Sequence, residues 1–160
     1  MNRRAMVSLA GVVAVALYAV WAAVQIFVLN PLAVAPGLSL DEVYAEMAAV
    51  GETMPVGFGL GVLAVGVVIA IVIAVLGMRA DLDPEVLMLL FLIVLVLGAP
   101  AYFVASFAPG MSLADTFFIS GADASPWAAS LYITSLLASA GIVWLVVRLA
   151  RSRPAAVSVA

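Results

Sequence analysis

Carboxylates are the only side chains of this 160-residue chain that can do acid–base chemistry near neutral pH, because it contains no histidine and no cysteine. They fall in three groups: Asp41, Glu42, Glu46 and Glu52; Asp115 and Asp123; and Asp81, Asp83 and Glu85. Catalysis by paired carboxylates needs two of them held close together with their pKa values pushed apart, and nothing in the linear sequence brings two of them, Glu52 and Asp123 for example, together for that purpose. Asp81-Leu82-Asp83 has the alternation that opens a calcium loop, but the glycine and the distal glutamate of such a loop are missing. Asp83 as N-cap, Pro84 as first helical residue and Glu85 near the positive helix end explain the segment as a helix start. The lack of cysteine removes disulfides, thiol redox chemistry and thiolate metal sites together. We therefore expect no catalytic residue, no metal site and no cofactor, and read the chain as a non-enzyme.

Two of the carboxylates have a structural use at their spacing. Ser39 with Glu42 three residues later is a capping box, and Ser112 with Asp115 repeats it with a shorter acid. Downstream of Ser39, Leu40, Val43, Tyr44 and Met47 share one helical face while Asp41, Glu42 and Glu46 lie away from it, and Gly51 can stop the helix. The second copy predicts a shorter helix over 113–119, with Phe117 and Phe118 as anchors into a bundle or a headgroup layer.

The elements around these loops follow from composition. Hydrophobic residues make up 68% of the chain, charged residues 9%, and the mean hydropathy is +1.33, which places it among integral membrane proteins. Four apolar stretches, at about 5–29, 56–78, 86–107 and 127–149, reach the roughly 20 residues a helix needs to cross the hydrocarbon. The arginines sit before the first (Arg3, Arg4), after the second (Arg79) and at the end of the fourth (Arg148, Arg151, Arg153), all on one side of a four-span protein. The positive-inside bias places both termini in the cytoplasm and the acidic loops outside. The first apolar run is too long for a signal-peptide core, and Pro36 would directly follow the small-residue cleavage pattern Ala33-Val34-Ala35, so it is read as a span. Abundant alanine, valine and glycine, with arginine and no lysine, point to a bacterial cytoplasmic membrane.

The stretch Ala-Pro-Gly-Leu-Ser-Leu at 35–40 returns as Ala-Pro-Gly-Met-Ser-Leu at 108–113, each copy after an outward span. Pro55 and Pro126 then open the return helices, and Arg79 and Arg148 close them. This predicts an all-α fold of four transmembrane helices built from a tandem duplicated helix-loop-helix hairpin, with units at 5–79 and 86–149 in one domain, short amphipathic helices in the outer loops, and a cytoplasmic tail from residue 150. Units with an even number of crossings are parallel repeats.

Within the spans the sequence offers close packing. Gly57, Gly61, Gly66 and Ala70 form a small-residue run in the second span, and Ser135 and Ser139 do so in the fourth, so these residues are expected to pack helices or a partner. Gln25, Ser106 and Thr134, with Ser139, are a possible polar path, although hydrogen bonding between helices or back to the preceding turn is the commoner use of such residues. Pro100 is expected to kink the third span. No Asp, Glu, Lys, Arg or His lies in the interior of any span, which disfavours proton-coupled transport. The expectation is an accessory or interaction subunit that binds a membrane-protein partner or a lipid-like ligand, without nucleic acid. The alternative is a small homo-oligomeric channel or transporter lined by carbonyls and hydroxyls.

Overall fold

A computed structural model describes residues 2–152. All regular elements among them are helical: α1 (Arg3–Val24), a π-helical turn (Gln25–Leu29), α2 (Asn30–Val34), α3 (Leu40–Ala49), α4 (Val56–Arg79), α5 (Pro84–Val96), α6 (Gly98–Phe117) and α7 (Ala128–Ser152). Four continuous rods, Arg3–Val34, Val56–Arg79, Pro84–Phe117 and Ala128–Arg151, are long and apolar enough to cross a membrane. The tail expected from residue 150 is helical to Ser152, and residues 153–160, with Arg153, lie outside the described residues.

The bundle is assembled around α1, which packs most extensively on α4 and also on α5, while α5 packs on α7 and α6 on α4. Its interior is thin. One cluster joins Tyr18, Ala22, Ile26, Leu63, Tyr102 and Leu131; another joins Val15, Ala70, Ala74, Leu87 and Phe91. Large apolar side chains such as Leu17, Val20, Val68, Leu136 and Val143 face outward, the arrangement expected where the solvent is hydrocarbon.

The first and third rods are 32 and 34 residues long against 24 for the other two, so they run past the bundle at one end. There α3 packs on α2 and α6 around Ala35, Val43, Met47 and Leu113, forming a cap. At the other end the arginines close the bundle. Arg4 donates to the backbone carbonyls of Leu82 (2.8 Å) and Asp81 (3.0 Å) and pairs with the Asp81 carboxylate, and Arg3 pairs with Glu85 at 2.8 Å. Asp83 takes the N-cap position of α5, yet its side chain makes no capping hydrogen bond.

The two copies of the Pro-Gly motif adopt different structures. The first is a turn in which Gly37 takes a φ of +98° that side-chain-bearing residues rarely adopt. The second lies wholly inside α6: Pro109 is buried mid-helix, and the Ser112 carbonyl accepts from the Thr116 hydroxyl at 2.7 Å. No separate helix starts at Ser112, and Ser112 and Asp115 are not caps, because the turns on either side of Pro109 continue one helix. The capping box forms at the first copy alone: Ser39 Oγ accepts from the Glu42 amide, and Glu42 accepts from the Ser39 amide at 2.7 Å.

Candidate functional site: a polar node beneath the cap

Pro31 begins the local chemistry. It has no N–H, so the carbonyl of Phe27 four residues earlier loses its helical partner. The backbone responds by widening into the π turn, in which the Asn30 amide bonds Gln25 five residues back. The hydroxyl of Tyr44, from α3, donates to the freed Phe27 carbonyl at 2.6 Å. Burial raises the pKa of that tyrosine above its ordinary value.

Widening the turn also aligns Gln25 and Asn30, five positions apart, toward the loop 118–127. Both are buried, with Gln25 wholly so. The Asn30 side-chain oxygen accepts the backbone amides of Ala124 (2.7 Å) and Ser125 (3.2 Å). Gln25 accepts from the Ser125 hydroxyl at 3.1 Å and donates to the Ser125 carbonyl at 3.4 Å. The Tyr102 hydroxyl donates to one Asp123 oxygen at 2.5 Å and that of Tyr132 to the other at 3.4 Å, the two rings meeting edge to face. At the α1–α7 seam the Trp21 indole N–H donates to Ser130 Oγ at 2.8 Å, and its ring meets that of Trp127 edge to face. The loop is thus moored by hydrogen bonds from uncharged side chains of the surrounding helices. Both Asp123 oxygens are engaged by phenols, which makes this carboxylate a clamp; no group of three or more His, Cys, Asp or Glu able to hold a metal gathers among the described residues.

A second break lies midway along the third rod, at Leu97. Pro100 lacks the N–H that would bond Val96, and the Ser135 hydroxyl inserts into the adjoining ladder, accepting from the Ala99 amide (3.1 Å) and donating to the Leu95 carbonyl (2.8 Å). Beside the break, Val94, Leu95, Leu97 and Ala101 face Leu63 and Gly66 across an apolar lateral cavity of about 290 Å³.

The residues singled out from the sequence separate accordingly. Ala70 is fully buried, Ser135 stitches the break, and Gly66 lines the cavity. Gly57 and Gly61 face outward with nothing within 4 Å of where a side chain would begin; the close approaches in this helix are at Gly59, where a Cβ would stand 2.6 Å from the Phe27 ring and 3.2 Å from the Ala105 carbonyl, and at Gly77, against the Leu87 side chain. A shift of two residues turns a helix by about 200°, and small-residue spacing alone does not say which of the two faces packs. The polar path is not assembled: Gln25 is interior, but Ser106, Thr134 and Ser139 donate to carbonyls of their own helices, at Phe103, Ser130 and Ser135. Asn30, Tyr44, Tyr102 and Ser125 were missed as members of the node. The available signal was the Asn30-Pro31 pair, since a proline that forces a π turn aligns residue 30 with residue 25.

No protein-family model matches the chain, and neither a curated protein nor a solved structure shows significant similarity to it.

Proposed function

We propose that the chain is a non-catalytic, multi-pass membrane protein that serves as an accessory or interaction subunit. Four rods of spanning length support membrane insertion, and the arginines gathered at one end support cytoplasmic termini and an exterior cap, in a bacterial cytoplasmic membrane. The observation that carries the reading is the polar node itself: the buried Gln25, Asn30 and Tyr102 and the half-buried Tyr44 hold α3 and the loop 118–127 in place. A conduit needs such groups facing a continuous path. A recognition platform needs them fixing a surface. The outward Gly57 and Gly61 offer close approach to another helix, and the lateral cavity offers room for an apolar chain of a lipid-like ligand.

Native mass spectrometry of the tagged protein, extracted gently from its own membrane, tests this. A stoichiometric second polypeptide or a retained lipid-like molecule is the expected result. A bare homo-oligomer that conducts ions or solutes in liposomes, with flux dependent on Gln25, would replace it with the channel reading.

A further inference from the structure

We infer that the exterior cap is a docking surface for a basic face of a partner protein, with Phe118 as its anchor; this rests on the accessory reading above and names the chemistry of the partner. Phe118 is 94% exposed, the most exposed large apolar residue described, and its φ of +56° holds it in the left-handed region that phenylalanine avoids. Its position is held from both sides. Its own amide and that of Ile119 donate to the Ala114 carbonyl, Phe117 packs into the cap cluster, and Asn30 moors the loop at Ala124 and Ser125.

Lipid does not reach this ring. The third rod, at 34 residues, extends about 50 Å, against a hydrocarbon thickness of roughly 30 Å. Roughly 20 helical residues counted from Pro84 cover that thickness, which puts the outer boundary near Phe103 and Phe107, both 58% exposed with ring centroids 6.0 Å apart, and Phe118 is about 16 Å further along the helix. A headgroup layer adds only about 5–7 Å beyond the hydrocarbon. The phenyl ring therefore faces water, where its burial by a partner would be favourable.

Charge selects the partner. Asp41, Glu42, Glu46, Asp115 and Asp123 are exposed on or beside the cap, and the sequence has no basic residue between Arg4 and Arg79 or between Arg79 and Arg148. Two caps would repel each other, so a second copy is disfavoured on this face. A surface with Lys and Arg around an apolar pocket complements it in both respects.

The test places a photoreactive benzoylphenylalanine at position 118, or at the outward-facing Val65, in the full-length protein in its own membrane. A single protein adduct is expected from position 118, with the cross-linked peptide in a Lys- and Arg-rich surface. Its yield should fall about tenfold in 0.5 M salt or in the Asp41→Asn, Glu46→Gln double variant. Phe118→Gly should reduce recovery of that protein on the tagged chain by about tenfold or more while leaving thermal stability unchanged or raised, because glycine accepts the positive φ. Adducts with lipid, with a second copy, or with a protein whose capture ignores salt would overturn the proposal. A stoichiometric partner cross-linking from Val65 but not from 118 would sink this surface while leaving the accessory reading standing. The absence of any polypeptide or lipid-like partner would remove both.

Discussion

The two ends of the bundle are closed by different physics. At the cap, uncharged side chains bond backbone atoms: Asn30 accepts from Ala124 and Ser125, Tyr44 donates to Phe27, and Gln25 donates to Ser125. At the opposite end Arg4 grips the turn at Asp81 and Leu82, and Arg3 pairs with Glu85 through a largely exposed side chain. Buried neutral hydrogen bonds are costly to break because the group left behind has no water to replace its partner. Exposed ion pairs lose little when broken, and salt screens them. The cap is therefore the end built to keep one shape, and the arginine end is the one that salt loosens more readily.

The largest effect comes from Asn30→Ala. It leaves the buried Ser125 amide unpaired and the Ala124 amide to water, and should cost about 1–3 kcal/mol, read as a lower unfolding midpoint in detergent with earlier proteolysis within 118–127. Equal loss from Arg4→Ala would break the comparison. Tyr44→Phe comes next: it keeps the ring and removes one hydrogen bond, to a carbonyl that Pro31 has already deprived of its helical partner, and about 1 kcal/mol is expected, with faster hydrogen exchange in α3. Arg4→Ala should cost below about 1 kcal/mol, and its difference from the parent should shrink in high salt, whereas that of Asn30→Ala should persist.

The smallest effect is a pH dependence at the cap. Glu42 is held below the usual carboxylate range by the Ser39 amide and then by the Ser39 hydroxyl. A depressed folded-state pKa means that the stabilisation is complete above the unfolded value and is lost as pH falls through the folded one. The Ser39 cap should thus persist at neutral pH and weaken only at acidity beyond ordinary carboxylate titration. NMR titration of the Ser39 amide would follow it, and Glu42→Gln should abolish the transition.

How far the sequence could be read depended on the range of each interaction. The four rods of spanning length were legible because hydropathy over some 20 residues is a sum to which every residue contributes. Ser39 and Glu42 are near neighbours in the chain, so their pairing could be stated from spacing. The same spacing at Ser112 and Asp115 misled, because whether Pro109 starts a turn or sits inside a helix depends on what surrounds it; here it is buried in the bundle. Pro100 announced a break, but nothing local said that Ser135, 36 residues from Ala99, would enter it.

Composition and hydropathy by themselves determined that the chain holds four rods long and apolar enough to cross a membrane, since transfer energies add along the chain. Only the tertiary structure decided that Gly59 packs while Gly57 and Gly61 face out, and that Asn30 and Gln25 moor a loop nearly a hundred residues away. It also decided that Phe117 is taken into the cap while Phe118 is turned outward. Each of these depends on the rotation and contact of elements distant in sequence, and a rotation of a fraction of a turn exchanges a buried face for an exposed one without changing any local preference.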